Sequence, residues 1–397
     1  MIHLARRADR IKPSPTIAIS TKAQEMKAAG RDVINLGSGE PDFDTPQHIK
    51  DAAIAAMQAG ATKYTAVGGI SELKSVVSEK FRRENTLDYA PSQIIVSTGA
   101  KQSIYNLMMA VLNTGDEAVF FAPYWVSYPD MALLADATPV AISSDSPHTK
   151  ITPQQLASVL NNKTKMLLLN SPSNPSGVLY DKVELAALGA VLRDFPDVVI
   201  ASDDIYEHIR YEGRPFHNIL NACPDLAGRT VIINGVSKAY AMTGWRIGYA
   251  AGPEYLIKAM TKIQSQGTSN PCSIAQAAAQ AAIEAGTDCV EPMLEAFARR
   301  RSMVSEKLNA IDCVDFPPIE GAFYAFASAE AAITKLYEAG RISAQTDLAF
   351  CDYLLENAGV AMVPGSAFGC ENCFRLSFAT ADNLLEQAVE RIGNALA

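Results

Sequence analysis

The chain has 397 residues, with 34 lysines and arginines against 43 aspartates and glutamates, for a formal net charge of −9. This length exceeds what one hydrophobic core usually supports, which predicts two domains. Hydrophobic residues make up 48% and charged residues 19%, a globular composition that excludes a largely disordered chain. The acidic charge excludes a general attraction for nucleic acid or anionic membranes, so any bound anion needs a local cluster of donors.

The seven cysteines are an odd number and do not indicate a secreted disulfide framework. Cys370 and Cys373 form a Cys-x-x-Cys pair, but no further ligands at zinc spacing accompany them. We therefore interpret both as reduced thiols and predict no metal site. The N-terminal segment lacks the apolar core of a signal peptide, and no apolar run approaches the roughly 20 residues that span a bilayer. These features predict a cytoplasmic protein with no membrane or nucleic-acid partner.

Short apolar runs alternate with longer amphipathic stretches between residues 94 and 252. The runs are rich in valine and isoleucine and are often bounded by glycine, proline or aspartate, which is typical of buried strands. Because strands that alternate with helices form right-handed βαβ units, the pattern predicts a mainly parallel seven-stranded sheet flanked by helices. The predicted strands are Ile94–Ser97, Ala118–Phe121, Thr138–Ile142, Met166–Leu169, Val198–Ala201, Thr230–Ile233 and Ile247–Ala250.

Helices are predicted between these strands and after them. Thr152 to Gln155 is a capping-box start signal, and residues 183–192 carry the next helix. After about Glu291 a long charged helix leads to strands at Ala322–Ala327, Val360–Val363 and Phe374–Phe378, which is typical of a smaller α+β domain. We expect residues 48–290 to form the large domain. Residues 1–47 and 291–397 then form an N-terminal arm and the small domain.

Polar residues follow several predicted strands, at the edge where ligands bind in such sheets. Gly99, Ala100 and Lys101 open a helix after the first strand, where free N–H groups favour an anion. A tight structural turn is the alternative. Asn174 lies in a loop with two prolines and a glycine, and taken alone it is equally consistent with an Asx-turn.

Two charged residues stand out at the ends of later strands. Asp203 follows an apolar strand, and a buried acid there needs a cation, although a helix N-cap is the alternative. Lys238 lies between an apolar strand and a loop of small and aromatic residues, which favours a desolvated amine suited to covalent catalysis. Arg246 offers a planar fork for a phosphate.

Together these motifs resemble the class I pyridoxal-phosphate aminotransferases of fold type I, and within them the prokaryotic aspartate aminotransferases. The resemblance runs in order from about residue 10 to the C-terminus. The matching segments are Gly39–Pro46, Lys63-Tyr64, Pro123–Pro129, Asn174-Pro175-x-Gly177, Asp203-x-x-Tyr206, Ser237-Lys238 with Arg246, and Phe374–Ser377.

The resemblance implies pyridoxal 5′-phosphate as the cofactor, with Lys238 as the catalytic residue to which it is attached. It implies that Asp203 pairs with the pyridine nitrogen, that Tyr206 and Asn174 bond the phenolate oxygen, and that Trp125 stacks on the ring. The implied phosphate ligands are Gly99, Ala100, Ser237, Arg246 and, from the neighbouring subunit of a homodimer, Tyr64.

The resemblance also implies the substrates, which are amino acids and 2-oxo acids. Arg375 would clamp the α-carboxylate, helped by Asn174 and the Gly39 backbone, beside Trp125. Lys101 is associated with the distal carboxylate of aspartate, and 2-oxoglutarate would be the second substrate in ping-pong kinetics. Lys12 and Thr16 resemble the segment of members that also transaminate prephenate to arogenate.

Other functions stay open at this stage. Transamination of aromatic amino acids is one, and a lyase on the same fold is another, since both would use the same cofactor. A ligand-sensing module without catalysis is a third, but the complete set of Lys238, Asp203 and Arg375 favours an enzyme.

Overall fold

The computed structural model describes residues 4–144 and 150–397. The strands in chain order are β1 (Ile34–Asn35), β2 (Ile94–Ser97), β3 (Glu117–Ala122), β4 (Thr138–Ser143), β5 (Thr164–Asn170), β6 (Val199–Asp203), β7 (Thr230–Gly235), β8 (Gly248–Ala251), β9 (Tyr324–Ser328), β10 (Val360–Ala361), β11 (Val363–Pro364) and β12 (Cys373–Ser377).

The α-helices in chain order are α1 (Arg6–Arg10), α2 (Pro15–Ala28), α3 (Gln47–Gln58), α4 (Ser71–Asn85), α5 (Ala100–Val111), α6 (Ser127–Leu134), α7 (Pro153–Val159), α8 (Lys182–Arg193), α9 (Ile219–Ala222), α10 (Glu254–Gly267), α11 (Ser273–Glu284), α12 (Glu291–Asn309), α13 (Glu330–Glu338), α14 (Asp347–Ala358) and α15 (Asp382–Leu396). In the part of the chain described, none of these helices is both long and apolar enough to traverse a lipid bilayer.

The central sheet has seven strands in the order β2-β8-β7-β6-β5-β3-β4. Its strands run parallel except β8, which is antiparallel to both of its neighbours. Each of the seven predicted strands is confirmed within a few residues. The predicted α/β class with a mainly parallel sheet is therefore confirmed.

Helices cover both faces of this sheet. Successive side chains of each strand point to opposite faces, so each strand packs against helices on both sides. Ile95 packs in a cluster with Leu107 of α5 and Met260 of α10. Its neighbour Val96 packs in the other cluster, which contains Leu73 of α4. Strands buried on both faces read as continuous apolar runs, which is why the sequence revealed them.

The C-terminal residues form two small sheets, one of them together with β1. β9, β12 and β11 make an antiparallel sheet in the order β11-β12-β9, and β1 pairs in parallel with β10. The single predicted strand 360–363 is wrong in detail, because β10 and β11 pair with different partners on either side of Met362. The domain boundaries at residues 47/48 and 290/291 stay a prediction.

Local signals position the helices as expected. The Thr152 hydroxyl accepts a hydrogen bond from Gln155 N at 3.2 Å, and the Gln155 side chain accepts one from Thr152 N at 2.8 Å. This capping box starts α7 where the sequence predicted it. α8 likewise spans the predicted residues 183–192.

Candidate active site

A cavity of about 350 Å³ lies at the carboxyl ends of β5, β6 and β7. This is the edge at which parallel α/β sheets bind ligands. The cavity is lined by Thr16, Ser38, Gly39, Glu40, Ala100, Lys101, Ile104, Trp125, Tyr128, Asn170, Asn174, Asp203, Ile205, Tyr206, Ser237, Lys238, Thr243, Arg246, Tyr324 and Arg375.

Lys238 follows β7 and its side chain is half-buried in the cavity. Its ammonium donates a hydrogen bond to the carbonyl of Gly39. Burial, together with the positive charges of Arg375 and Arg246, lowers the pKa of Lys238 to about 8, although Glu40 opposes this shift. A larger fraction of this amine is therefore neutral and nucleophilic near neutral pH than for a lysine in water.

Asp203 is the last residue of β6 and is buried. Its Oδ2 accepts a hydrogen bond from the Tyr128 hydroxyl at 2.7 Å. Burial raises the pKa of Asp203 to about 6, and the Tyr128 hydrogen bond limits that rise. No cation among the described residues forms an ion pair with this carboxylate. A positively charged group of a ligand could therefore pair with it.

Donors suited to a phosphate lie at the start of α5. Gly99 precedes this helix with φ of +81°, and a Cβ there would lie 2.5 Å from Nη2 of Arg246. A glycine is therefore required for the guanidinium to approach the free N–H groups of the first helical turn. Ala100, Ser237 and Arg246 all line the cavity at this end.

Arg375 lies in the middle of β12 and is buried. Its Nη1 donates to Oδ1 of Asn174 at 2.9 Å, and its Nη2 donates to the carbonyl of Gly37 at 2.8 Å. The buried Nε has no hydrogen-bond partner among the described residues. Burial of a guanidinium N–H without a hydrogen bond costs free energy, and a carboxylate bound in the cavity would accept that bond.

Lys101 and Trp125 lie together on another wall of the cavity. The Lys101 ammonium is 4.9 Å from the centre of the Trp125 ring. Burial lowers the pKa of Lys101, and the charge of Arg246 adds to that shift. No described carboxylate forms an ion pair with Lys101, which leaves its charge available to a ligand.

The loop that carries Asn174 is tied to the end of β6. The Asn170 side chain donates to the Asp203 carbonyl at 2.8 Å and accepts from Asn174 N at 2.9 Å. These two bonds, with the one from Arg375 to Asn174, hold Asn174 between the end of β6 and Arg375.

Most of the predicted site residues meet in this cavity, and three stand outside its lining. Gly99 contributes backbone just behind Ala100. Lys12 is exposed, and its backbone N–H bonds Oδ1 of Asp130 at 3.4 Å. Tyr64 is 91% exposed and does not line the cavity of its own chain.

Sequence reasoning missed several residues of the site. The Tyr206 hydroxyl is 2.8 Å from that of Tyr324, whose ring also stacks 4.4 Å from the Arg375 guanidinium. Tyr128 and Glu40 were likewise not singled out. Tyr128 and Glu40 lie inside matched motifs, Pro123–Pro129 and Gly39–Pro46, so those motifs were the available signal; Tyr324 had none beyond its place in a predicted strand.

Residues 31–392 match the family model described as aminotransferase class I and II. The chain belongs to this family. It is 55% identical over 394 residues to the aspartate/prephenate aminotransferase of Nitrosomonas europaea, an alignment that covers 99% of each protein. The resemblance inferred from the motifs is confirmed.

Solved structures of relatives have the same fold. The aspartate aminotransferase of Rhizobium meliloti superposes with a TM-score of 0.94 at 46% identity, covering 100% of this chain and 99% of the other. The Thermus thermophilus aspartate aminotransferase with maleate gives 0.92 at 40% identity and covers 100% of both chains. The predicted fold type is therefore confirmed for this member of the family.

Proposed function

We propose that this chain transfers the amino group of L-aspartate to 2-oxoglutarate, giving oxaloacetate and L-glutamate, with pyridoxal 5′-phosphate as its cofactor. The observation that carries the proposal is the convergence of Lys238, Asp203 and Arg375 on one cavity of about 350 Å³. Transamination of an amino acid needs a nucleophilic amine to attach the cofactor, a carboxylate for the ring nitrogen of the cofactor and a cation for the substrate α-carboxylate. Lys238, Asp203 and Arg375 offer these three groups.

The residues present fit pyridoxal phosphate on their own chemistry. Arg246, Ser237 and the N-terminus of α5 form a phosphate cradle beside Gly99. Asp203 is a buried carboxylate with no ion-pair partner among the described residues, which suits a protonated ring nitrogen. Lys238 offers an amine with its pKa lowered to about 8.

When bound, the cofactor supplies a sink for the electrons released at the substrate Cα. Lys238 Nζ acts as the base that removes the Cα proton and returns a proton in the reverse half-reaction. Asp203 would hold the protonated ring nitrogen of the cofactor, and Tyr128 keeps Asp203 oriented by its 2.7 Å hydrogen bond. Arg375 fixes the α-carboxylate and so presents the Cα–H bond to Lys238.

Lys101 supports aspartate as the amino donor. A dicarboxylic substrate held by Arg375 at one end needs a cation for its other carboxylate, and Lys101 lines the same cavity without an ion-pair partner among the described residues. The Nitrosomonas relative is named for aspartate and prephenate, and the Thermus relative was solved with maleate, a dicarboxylate. Both names agree with a site for two carboxylates.

We also propose prephenate as a second amino acceptor. Thr16 lines the cavity, and its hydroxyl is 2.9 Å from that of Ser14. Lys12 is exposed on the same N-terminal segment, where it would reach the substrate only when that segment packs over the cavity. Substitution of Lys12 or Thr16 by alanine should therefore raise the KM for prephenate more than the KM for aspartate.

We further propose a homodimer with shared active sites, in which Tyr64 serves the phosphate of the other subunit. The 91% exposure of this tyrosine in the single chain supports the proposal. Sedimentation should give twice the mass of the chain. Tyr64→Phe should weaken cofactor binding without dissociating the dimer.

We also propose that the part of the chain carrying Arg375 and Gly39 closes over the bound substrate. Both residues line the cavity from outside the predicted large domain. Small-angle scattering profiles should differ with and without a dicarboxylate inhibitor. Identical profiles would contradict closure.

The first test is the visible absorbance of the cofactor-bound protein during titration. L-aspartate should remove the cofactor band, and 2-oxoglutarate or prephenate should restore it. Lys101→Met should weaken the response to aspartate and leave unchanged the response to L-alanine, which lacks a distal carboxylate.

A lyase would differ, since its cofactor band would recover without an added oxo acid. An unchanged band with aspartate but a response to phenylalanine would favour an aromatic aminotransferase.

A further inference from the structure

Cys370 lies in the turn that precedes β12, and Cys373 is the first residue of that strand. Their sulfur atoms are 3.5 Å apart, and both are free thiols. A disulfide needs the sulfurs at about 2.05 Å, so the two atoms must approach each other by about 1.5 Å. We propose that this pair is a site of reversible oxidation, which forms an intramolecular disulfide and thereby changes the affinity of Arg375 for the substrate carboxylate.

The two thiols differ in access. Cys373 is buried, with 1% of its surface exposed, whereas Cys370 is half-buried at the edge of the turn. The hydrogen bond from the Cys373 thiol lowers the pKa of Cys370. Cys370 is therefore the sulfur that an oxidant meets first, and Cys373 is placed to attack it in the second step.

The oxidant required is a low-molecular-weight disulfide. The Cys370 thiolate attacks one of its sulfurs, forming a mixed disulfide and releasing one small thiol. Cys373 then loses its proton and attacks the Cys370 sulfur, which releases the second small thiol. The two cysteine sulfurs are oxidised by two electrons in total, and the two sulfurs of the small disulfide are reduced.

The turn is held tightly, so a change in it must be transmitted. A Cβ on Gly365 would lie 2.5 Å from the Cβ of Cys373, and Cys370 N donates to the Gly365 carbonyl at 3.1 Å. On the other side, a Cβ on Gly369 would lie 2.4 Å from the Tyr124 ring. Neither side leaves open space into which the turn could relax.

Two connections lead from this turn to Arg375. Cys373 and Arg375 lie on the same face of β12, because they are two residues apart on one strand. The Phe368 ring belongs to the same buried cluster as Cys373 and lies 5.0 Å from the Arg375 guanidinium. A movement of the Cys373 sulfur therefore acts on Arg375 through both the strand and the ring.

This second part rests on the proposed function, in which Arg375 binds the substrate carboxylate. Because Arg375 already binds the carboxylate before the reaction begins, a weaker contact should raise KM more than it lowers kcat. We expect oxidation to raise the KM for L-aspartate at least threefold, with reversal by excess reduced thiol.

The experiment equilibrates the cofactor-bound protein with glutathione buffers of increasing oxidised fraction. The background carries Cys272→Ser to remove the one exposed thiol. The seven cysteines all lie in the described residues, and the other six are buried or half-buried. Denaturation, alkylation and peptide mass analysis then report the disulfide without reference to activity. The KM and kcat for aspartate are measured on the same samples.

The matched variants are Cys370→Ser and Cys373→Ser. Each should show reduced-state kinetics at every ratio, and Cys373→Ser should retain glutathione on Cys370. Absence of the intramolecular disulfide in folded protein overturns the proposal of an oxidation site. A disulfide without a change in KM overturns the link to Arg375, whereas a fully reduced protein without transaminase activity refutes the proposed function instead.

Discussion

The Tyr128 hydroxyl donates a 2.7 Å hydrogen bond to Oδ2 of Asp203, linking the start of α6 to the end of β6. Both side chains are buried, and the Trp125 ring lies edge-on to Tyr128 with 5.3 Å between the ring centres. The bond therefore holds this carboxylate in one orientation, while no cation in residues 4–144 and 150–397 forms an ion pair with it. In the proposed function, the cofactor supplies that cation.

Tyr128→Phe should remove this orientation with little change in shape. A hydrogen bond to a charged group is worth about 1.5–3 kcal/mol, so we expect kcat to fall about 10- to 100-fold. Steady-state kinetics with aspartate provide the measurement. Tyr337→Phe, at a 47% exposed site, is the matched control and should leave kcat unchanged. Equal kinetics for both variants would contradict a positioning role for Tyr128.

Lys238→Ala should abolish turnover while cofactor is still held by Arg246, Ser237 and Asp203. The loss follows because the base for the Cα proton is gone, and we expect several orders of magnitude. Absorbance of the purified variant should report bound cofactor, and coupled assays should report turnover. Lys258→Ala, on an exposed part of α10, is the control. Substantial residual turnover would exclude Lys238 as the catalytic lysine.

The pKa of Lys238 predicts how cofactor attachment depends on pH. Folding lowers this pKa from 10.5 to about 8. Only the neutral amine attacks, so the rate of attachment to cofactor-free protein should rise with pH and level off above about 8. Between these two values the unfolded chain holds more protons, so the stability of the cofactor-free protein should also rise with pH.

Rapid mixing of cofactor-free protein with pyridoxal phosphate measures this dependence from the absorbance change on covalent attachment. The experiment covers about pH 6 to pH 10, a range on both sides of the lowered pKa. Lys238→Ala should give no such change at any pH. A rate that does not vary with pH would show that the amine is not the titrating group.

Arg375→Lys should weaken substrate binding although the positive charge is kept. Lysine cannot form two parallel bonds to a carboxylate, and it cannot reproduce the contacts to Asn174 and Gly37. We expect KM for aspartate to rise about 10- to 100-fold, the equivalent of one or two charge-assisted hydrogen bonds. Arg391→Lys, whose partner Asp32 is exposed, should change neither constant. An unaltered KM would remove Arg375 from the carboxylate site.

Lys80 and Glu207 form a buried ion pair behind the site, and Glu207 also accepts from Asn234 at 2.8 Å. Lys80→Met would leave the carboxylate buried without its cation, at a cost of about 3–5 kcal/mol in the free energy of unfolding. Urea denaturation at constant protein concentration measures this. Arg82→Met breaks the exposed pair with Glu79 and should cost less than about 1 kcal/mol. Similar losses for both variants would contradict the buried-pair explanation.

The central sheet and the region of the candidate site could be predicted from the order of the amino acids. Strands such as β2 and β7 are buried on both faces, so they appear as uninterrupted apolar runs that need no tertiary information. The polar residues at the ends of the strands or just after them, including Asp203 and Lys238, could be found for the same reason. Parallel strands bring their carboxyl ends to one edge whatever the details of packing.

Which buried polar groups bond to each other could be learned only from the folded structure. Tyr128 and Asp203 are 75 residues apart, and Lys80 and Glu207 are 127 apart, so no local pattern reveals either contact. A lysine on an amphipathic helix is expected in water. Lys80 is buried because the distant carboxylate of Glu207 and the nearby one of Glu84 compensate its charge. Strand periodicity is a property of neighbouring residues, whereas the strength and direction of a buried hydrogen bond depend on atoms that only folding brings together.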